Sequence, residues 1–157
     1  MIGFRPIDFE VLHMTQAIQG ELLDILTDAD LAYRLPGANP PLGALFREIG
    51  QVEISYTGSF RTLRQNFNYP PVDPALETSV EKLRAWYAQL NAELDAALLT
   101  HSETDIQETM VDRGFSMPLL AHLHTYREAL LIFYGKATCY LHALGKPQPP
   151  QMAEWIG

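Results

Sequence analysis

The chain has 157 residues, of which 47% are apolar and 19% charged, a composition typical of one globular domain rather than a disordered segment. Its net charge of −8 and scattered Lys and Arg residues argue against nucleic-acid binding. One cysteine excludes an intrachain disulfide, and no apolar run approaches the roughly 20 residues that cross a bilayer. We therefore expect a single domain over residues 1–157, with no membrane segment or secretion signal, located in the cytoplasm.

Two long helices are predicted in the first half of the chain. Apolar residues at steps of three and four predict a first helix from Asp8, a favourable N-cap, to near Thr27. After a loop with two turn signals, the same spacing predicts a second helix over about residues 40–66. Its start is marked by Asn39 as the cap and Pro40 at the first helical position.

Two more helices are predicted in the second half. Asp73 and Pro74 mark the start of a third helix, whose apolar stripe continues to near Thr100. The fourth and longest stripe begins after Ser116 and ends at Gly145, which is followed by several prolines.

The segment between the third and fourth helices has no helical period. It alternates weakly from Ile106 to Val111, and we expect a crossing loop with a short extended piece. Four amphipathic helices with one apolar face each bury those faces most simply around a shared core. The predicted fold class is therefore all-α, a four-helix bundle.

The common catalytic motifs are absent from the sequence, so the candidate functional residues are polar side chains on faces that should be apolar. Glu48 is the first of them. It lies on the apolar side of the second helix, between Leu45 and Val52. A carboxylate there could act as a metal ligand or general base. The favoured interpretation is a carboxylate at the edge of the stripe, paired with Arg47 or Arg127.

The fourth helix offers two further polar pairs. His122 and Tyr126 share a face and could form a small polar pocket with Glu48 at the mouth of the bundle. The favoured alternative for His122 and Tyr126 is a hydrogen-bonded pair in the core. His124 and Glu128, four residues apart, could chelate a metal, but their position favours a solvated surface pair.

The remaining titratable residues are assigned no function. Glu53 is expected to be an exposed helix charge, and Cys139 a buried structural cysteine, since neither neighbour would lower the pKa of its thiol. His13 has no partner at ligand spacing, and His101 and His142 lie in a loop and near the last turn of a helix.

Three stretches of the sequence carry a family resemblance: PPLGALFREIGQVEISYTGSF in the second helix, FYGKATCYLHALGKPQPP at the end of the fourth, and DADLAYRLPG before the second. Together they resemble the DinB-like superfamily, and the resemblance covers nearly the whole chain. The resemblance implies an up-up-down-down bundle with long crossover connections, often dimeric. It also implies a divalent metal such as zinc or nickel, bound by one His in the second helix and a His-x-x-x-His pair in the fourth.

The metal-binding positions of the family are substituted in this sequence. Alignment on Gly43 places the ligand of the second helix at Glu48. Alignment on Gly135 places the pair of the fourth helix at Ala129 and Phe133, neither of which can coordinate a metal. The resemblance thus implies a degenerate metal site, and no metal is expected.

A small alignment gap would select Tyr126 and Leu130 instead, and no register gives two histidines four apart on the inward face. The leading hypothesis is a small-molecule-binding or interaction protein that forms a homodimer through a helix face. The alternative is a metal-dependent enzyme resembling thiol S-transferases, with a site rebuilt around Glu48. A third possibility is a structural bundle within a larger complex. Catalytic residues are not identified by the sequence.

Overall fold

The structure is a computed structural model that describes residues 3–156. In chain order its elements are α1 (Pro6–Ile25), α2 (Asp28–Leu31), α3 (Leu42–Thr62), a 3₁₀ turn (Pro74–Glu77), α4 (Val80–Leu98), α5 (Glu103–Glu108), β1 (Met110–Asp112), β2 (Ser116–Pro118), α6 (Leu119–Ala143) and α7 (Pro150–Ile156). The four long helices, α1, α3, α4 and α6, form the bundle, and the all-α prediction is confirmed. None of the described helices is long and apolar enough to cross a membrane.

The first two bundle helices begin at different residues from those predicted. Asp8 lies in the first turn of α1, where its carboxylate accepts a hydrogen bond of 2.8 Å from the backbone N–H of Arg5. The amide of Asn39 donates to the carbonyl of Pro36 at 2.7 Å and is thereby held in the preceding turn. The second helix therefore starts only at Leu42.

The third bundle helix also starts later than predicted. The carboxylate of Asp73 accepts from the N–H of Ala75 at 2.9 Å, but the element it caps is only the four-residue 3₁₀ turn. Helix α4 begins at Val80, where Ser79 is the N-cap and accepts from the N–H of Lys82 at 3.3 Å. Two capping signals lie close together here, and the second one begins the long helix.

The segment predicted as a crossing loop contains α5 and a β-hairpin. Val111 of β1 pairs with Met117 of β2, and Gly114 occupies the turn with φ of 85°, a conformation that favours glycine. The extended piece is thus present but lies nearer the fourth helix than predicted. Helix α7, which follows the prolines after α6, was not predicted.

Contacts near the helix ends give the direction of each helix. Helices α1 and α4 are antiparallel, because His13 contacts Asp95 and Asp24 contacts Arg84. Helices α3 and α6 are also antiparallel, because Phe46 contacts Phe133 and Phe60 contacts His122. Helices α3 and α4 are parallel, because Phe46 contacts Tyr87 and Arg61 contacts Glu93. Helices α1 and α6 are parallel too, because Thr15 bonds to Tyr134 and Ile25 bonds to Lys146, which follows the end of α6. The bundle is therefore up-down-down-up, and the implied up-up-down-down order is wrong. A long crossover over residues 63–79 is needed because α3 and α4 are parallel.

The core is mainly apolar but also encloses a group of polar side chains. The buried polar residues on the bundle helices are Asp8, Thr15, Gln16, Gln19, Gln51, Glu53, Thr57, Ser59 and His122. Cys139, by contrast, was predicted to be buried and is exposed. It follows Ile132 by seven residues and therefore shares the solvent face of α6.

Candidate functional site

Glu48, Ala129 and Phe133, the positions selected by the family resemblance, all line one groove between α3 and α6. The groove has a volume of about 170 Å³. Phe133 is buried, Ala129 is half-buried and Glu48 is exposed at the edge. Lys136 also lines the groove, one turn after Ile132 on α6. An acidic and a basic side chain therefore border a mainly apolar groove.

Neither arginine expected to pair with Glu48 does so. Arg47 forms an ion pair of 2.6 Å with Glu77, and Arg127 donates a hydrogen bond of 3.2 Å to Thr15 Oγ1. Both guanidinium groups are thus held away from the groove. The predicted pairing of Glu48 with either arginine is wrong, because each has a different partner in space.

His122 is buried in a hydrogen-bonded network that joins α3, α6 and the β-hairpin. Its Nδ1 lies 3.0 Å from Arg113 Nη1, and its Nε2 lies 2.6 Å from Ser59 Oγ. A guanidinium group can only donate, so Nδ1 is the acceptor and Nε2 carries the proton. Nε2 therefore donates to Ser59 Oγ, and the hydroxyl of Ser59 donates to the carbonyl of Tyr56 at 2.7 Å.

This direction of donation shows what the network cannot do. A serine nucleophile needs a histidine nitrogen that accepts its proton, whereas His122 donates to Ser59. Burial and, secondly, the charge of Arg113 lower the pKa of His122 to about 4, which keeps the ring neutral. The network anchors the hairpin to the bundle.

The structure does not bring Glu48 to this network. Glu48 and Ser59 are separated by eleven residues of the same helix, or about 16 Å along its axis. Tyr126 lies nearer the network, with its ring centroid 5.2 Å from that of Tyr56. Glu48, His122 and Tyr126 therefore do not form one pocket.

Glu53 is a buried carboxyl group that was not among the candidates from the sequence. The prediction that Glu53 is exposed is wrong, since its exposed fraction is 0%. Burial is the main cause that raises its pKa to about 8, and the neighbouring Tyr126 and Gln16 lower it in part. The signal that could have located it is spacing, because Glu53 follows buried Ile49 by four residues.

The hydrogen bonding around Glu53 is incomplete. Glu53 Oε1 accepts from Gln16 Nε2 at 3.2 Å. Glu53 Oε2 and the hydroxyl of Tyr126 are buried, and neither makes a hydrogen bond of normal geometry. The amide of Gln19 and Oδ1 of Asn91 are also buried without partners. Unpaired buried groups of this kind destabilise a fold unless something binds them.

Gln16, Gln19 and Asn91 line a cavity of about 320 Å³ between α1 and α4. It is larger than the groove between α3 and α6 and lies on a different pair of helices. Two polar contacts cross between the same helices: the ring of His13 lies 2.8 Å from the carboxylate of Asp95, and Arg84 forms an ion pair of 2.7 Å with Asp24.

The donor groups needed for a metal centre are not gathered at either place. Over the described part of the chain, no three His, Cys, Asp or Glu side chains meet closely enough to hold a metal ion. His124 and Glu128 are both exposed, in agreement with the predicted surface pair. The residues present therefore do not fit a three-histidine metal centre.

Comparisons with known proteins agree with this fold. The sequence model of the DinB superfamily matches residues 12–133. The crystal structure of a DinB-like protein from Bacillus cereus ATCC 10987 has a TM-score of 0.76 and 22% sequence identity, covering 95% of this chain and 98% of that chain. No curated protein matches the sequence. At this identity the structural likeness shows the fold alone, but the sequence match spans well over half of the chain. The chain belongs to the DinB superfamily.

Proposed function

We propose that this protein is a small-molecule-binding member of the superfamily with a degenerate metal site, and that the ligand occupies the groove between α3 and α6. The observation that carries the proposal is the convergence of Glu48, Ala129 and Phe133 on that groove. The family resemblance assigns histidines to these three positions. Here only Glu48 offers a donor atom, so recognition would depend on the shape and polarity of the groove.

The lining of the groove limits the kind of ligand. Leu45, Ile49 and Val52 form its wall on α3, and Phe133 forms part of the wall on α6. Such a surface favours a small apolar body, since burial of apolar area is the main source of affinity in pockets. Lys136 at the edge would attract an anionic end group.

Binding of anilinonaphthalene sulfonate, which has an apolar body and an anionic end, tests this proposal on the full chain. Ala129→Trp would fill the groove and abolish the fluorescence enhancement of the probe. Ala143→Trp places the same side chain on an exposed position near the end of α6 and serves as the matched control. Equal enhancement in both variants would contradict binding in the groove.

The alternative is a metal-dependent enzyme resembling thiol S-transferases, with Glu48 as a ligand or base. Its support is limited to a neighbouring hollow, which Glu48, Lys136 and Cys139 all line. That arrangement supplies two donor side chains, whereas catalytic zinc sites use three protein ligands. Elemental analysis separates the two functions, after purification with zinc, nickel, manganese and iron supplied and subsequent dialysis. About one metal per chain, lost in Glu48→Ala, would overturn the degenerate site.

A homodimer and a cytoplasmic location remain predictions, and the exposed face of α6 supports the dimer. Ile132 is 62% exposed, the highest value among the large apolar side chains of the described residues. Glu128 and Lys136 lie four residues before and after it. In an antiparallel pair of α6 helices with a two-fold axis at Ile132, Glu128 of each copy would face Lys136 of the other.

Charge reversal tests this arrangement through sedimentation of the full chain. Glu128→Lys or Lys136→Glu alone would place like charges opposite each other and weaken the dimer. The double variant would restore opposite charges and the dimer. A wild-type monomer, or single and double variants that behave alike, would contradict the arrangement.

A further inference from the structure

The cavity between α1 and α4 exists because small residues face each other across it. Ala17 and Gly20 on α1 and Ala88 on α4 are all part of its lining. A Cβ atom added at Gly20 would meet no other atom within 4 Å. With a volume of about 320 Å³, the cavity lies in the range of small-molecule pockets.

Two of the residues that line this cavity, Gln19 and Asn91, carry buried amide atoms that have no hydrogen-bond partner. Gln19 is 1% exposed, and neither its Nε2 nor its Oε1 makes a hydrogen bond. Oδ1 of Asn91 on the facing helix is also buried and has no hydrogen-bond partner. A ligand that bonds to these atoms gains hydrogen bonds without the usual cost of desolvating the protein.

The charges around the cavity favour a neutral ligand. The imidazole of His13 contacts the carboxylate of Asp95, and the guanidinium of Arg84 forms an ion pair with Asp24, so the polar groups at the rim already have partners. The deeper Glu53 carboxyl is occupied on one oxygen by Gln16. An ionic ligand would therefore have to compete with these existing contacts.

We propose that this cavity is a second binding site, for a neutral small molecule that carries a carboxamide group. In a carboxamide the N–H donor and the C=O acceptor lie side by side, as they do in the side chain of Gln19. The ligand C=O would accept from Gln19 Nε2, and one ligand N–H would donate to Gln19 Oε1. The second N–H of a primary carboxamide would donate to Oδ1 of Asn91. Because the Gln19 amide is covered, its terminal group turns toward the cavity on binding.

Nicotinamide is a suitable probe, because it is neutral and planar and carries one primary carboxamide. Its matched control is the corresponding methyl ketone, in which CH₃ replaces NH₂ while shape is kept. Heteronuclear NMR of the full chain would show nicotinamide shifting the side-chain amide signals of Gln16, Gln19 and Asn91. Loss of two donated hydrogen bonds should make the ketone bind about tenfold more weakly or worse. Equal affinity for both compounds, or no binding of nicotinamide, would overturn the proposal.

Two substitutions locate the site independently. Gln19→Leu removes the amide, and Gly20→Leu fills the cavity without touching the amide; each should reduce nicotinamide binding at least tenfold. Gln89→Leu makes the same chemical change as Gln19→Leu on an exposed part of α4 and should have no effect. Binding that survives both cavity variants would contradict the proposal. Ala129→Trp, which fills the other groove, should leave nicotinamide binding unchanged, so the two proposed sites can fail separately.

Discussion

The two buried polar clusters of the bundle differ in how completely they are paired. Around His122, both ring nitrogens have partners, and Ser59 and Arg113 bond in the directions that their chemistry requires. Around Glu53 and Gln19, several buried polar atoms have no partner. A paired cluster can hold elements together, whereas an unpaired one lowers the stability of the free protein. The cluster around His122 is therefore structural, whereas the cluster around Glu53 and Gln19 destabilises the folded protein.

The largest effect is expected from breaking the paired cluster. His122→Ala removes a buried ring and takes one hydrogen-bond partner each from Arg113 and Ser59. We expect the free energy of unfolding in urea at pH 7 to fall by about 3 kcal/mol. His124→Ala, two residues away on the exposed face, should change it by less than about 0.5 kcal/mol. A loss below about 1 kcal/mol in His122→Ala would contradict a structural role for the network.

The two clusters should also impose opposite pH dependences on stability. The folded pKa of Glu53 is raised to about 8 from 4.5, so the folded protein retains a proton that the unfolded chain loses, and stability falls as pH rises from 4.5 to 8. The folded pKa of His122 is lowered to about 4 from 6.5, so stability falls as pH drops from 6.5 to 4. Between pH 4.5 and 6.5 the two slopes cancel.

Above pH 6.5 only the effect of Glu53 remains. Stability should then decrease by about 2 kcal/mol up to pH 8, at about 1.4 kcal/mol per pH unit. Glu53→Gln carries no titrating group and should abolish this decrease, as measured by urea unfolding at pH 6.5 and pH 8. Glu48→Gln, an exposed carboxylate on the same helix, is the control and should preserve it. A decrease that persists in Glu53→Gln would show that another group causes it.

The long helices could be predicted from sequence because their apolar spacing repeats over many turns. Their ends could not, because competing local hydrogen bonds decide them. Asn39 is a residue type that commonly caps helices, yet its side chain donates to the carbonyl of Pro36 and the helix starts later. Asp73 does cap a helical turn, but the chain leaves that turn and Ser79 caps the long helix.

The groove and the cavity differ in how far sequence could locate them. The family alignment selected Glu48, Ala129 and Phe133, and these do line one groove. Nothing in the sequence indicated Gln19, because helix α1 packs against both α4 and α6 and buries a wider arc than its apolar stripe. Polar residues on the sides of that arc look like surface residues until the neighbouring helices are in place.

The smallest effect is expected from Gln19→Leu. Replacing an unpaired buried amide with an apolar side chain of similar length removes a desolvated group, so thermal unfolding at pH 7 should show a gain of about 1 kcal/mol. Gln89→Leu should change stability by less than about 0.5 kcal/mol, since that residue is exposed. A loss of stability in Gln19→Leu would mean that the amide is already paired in solution. A gain in stability accompanied by a loss of nicotinamide binding would show that the same unpaired amide lowers stability and provides the site.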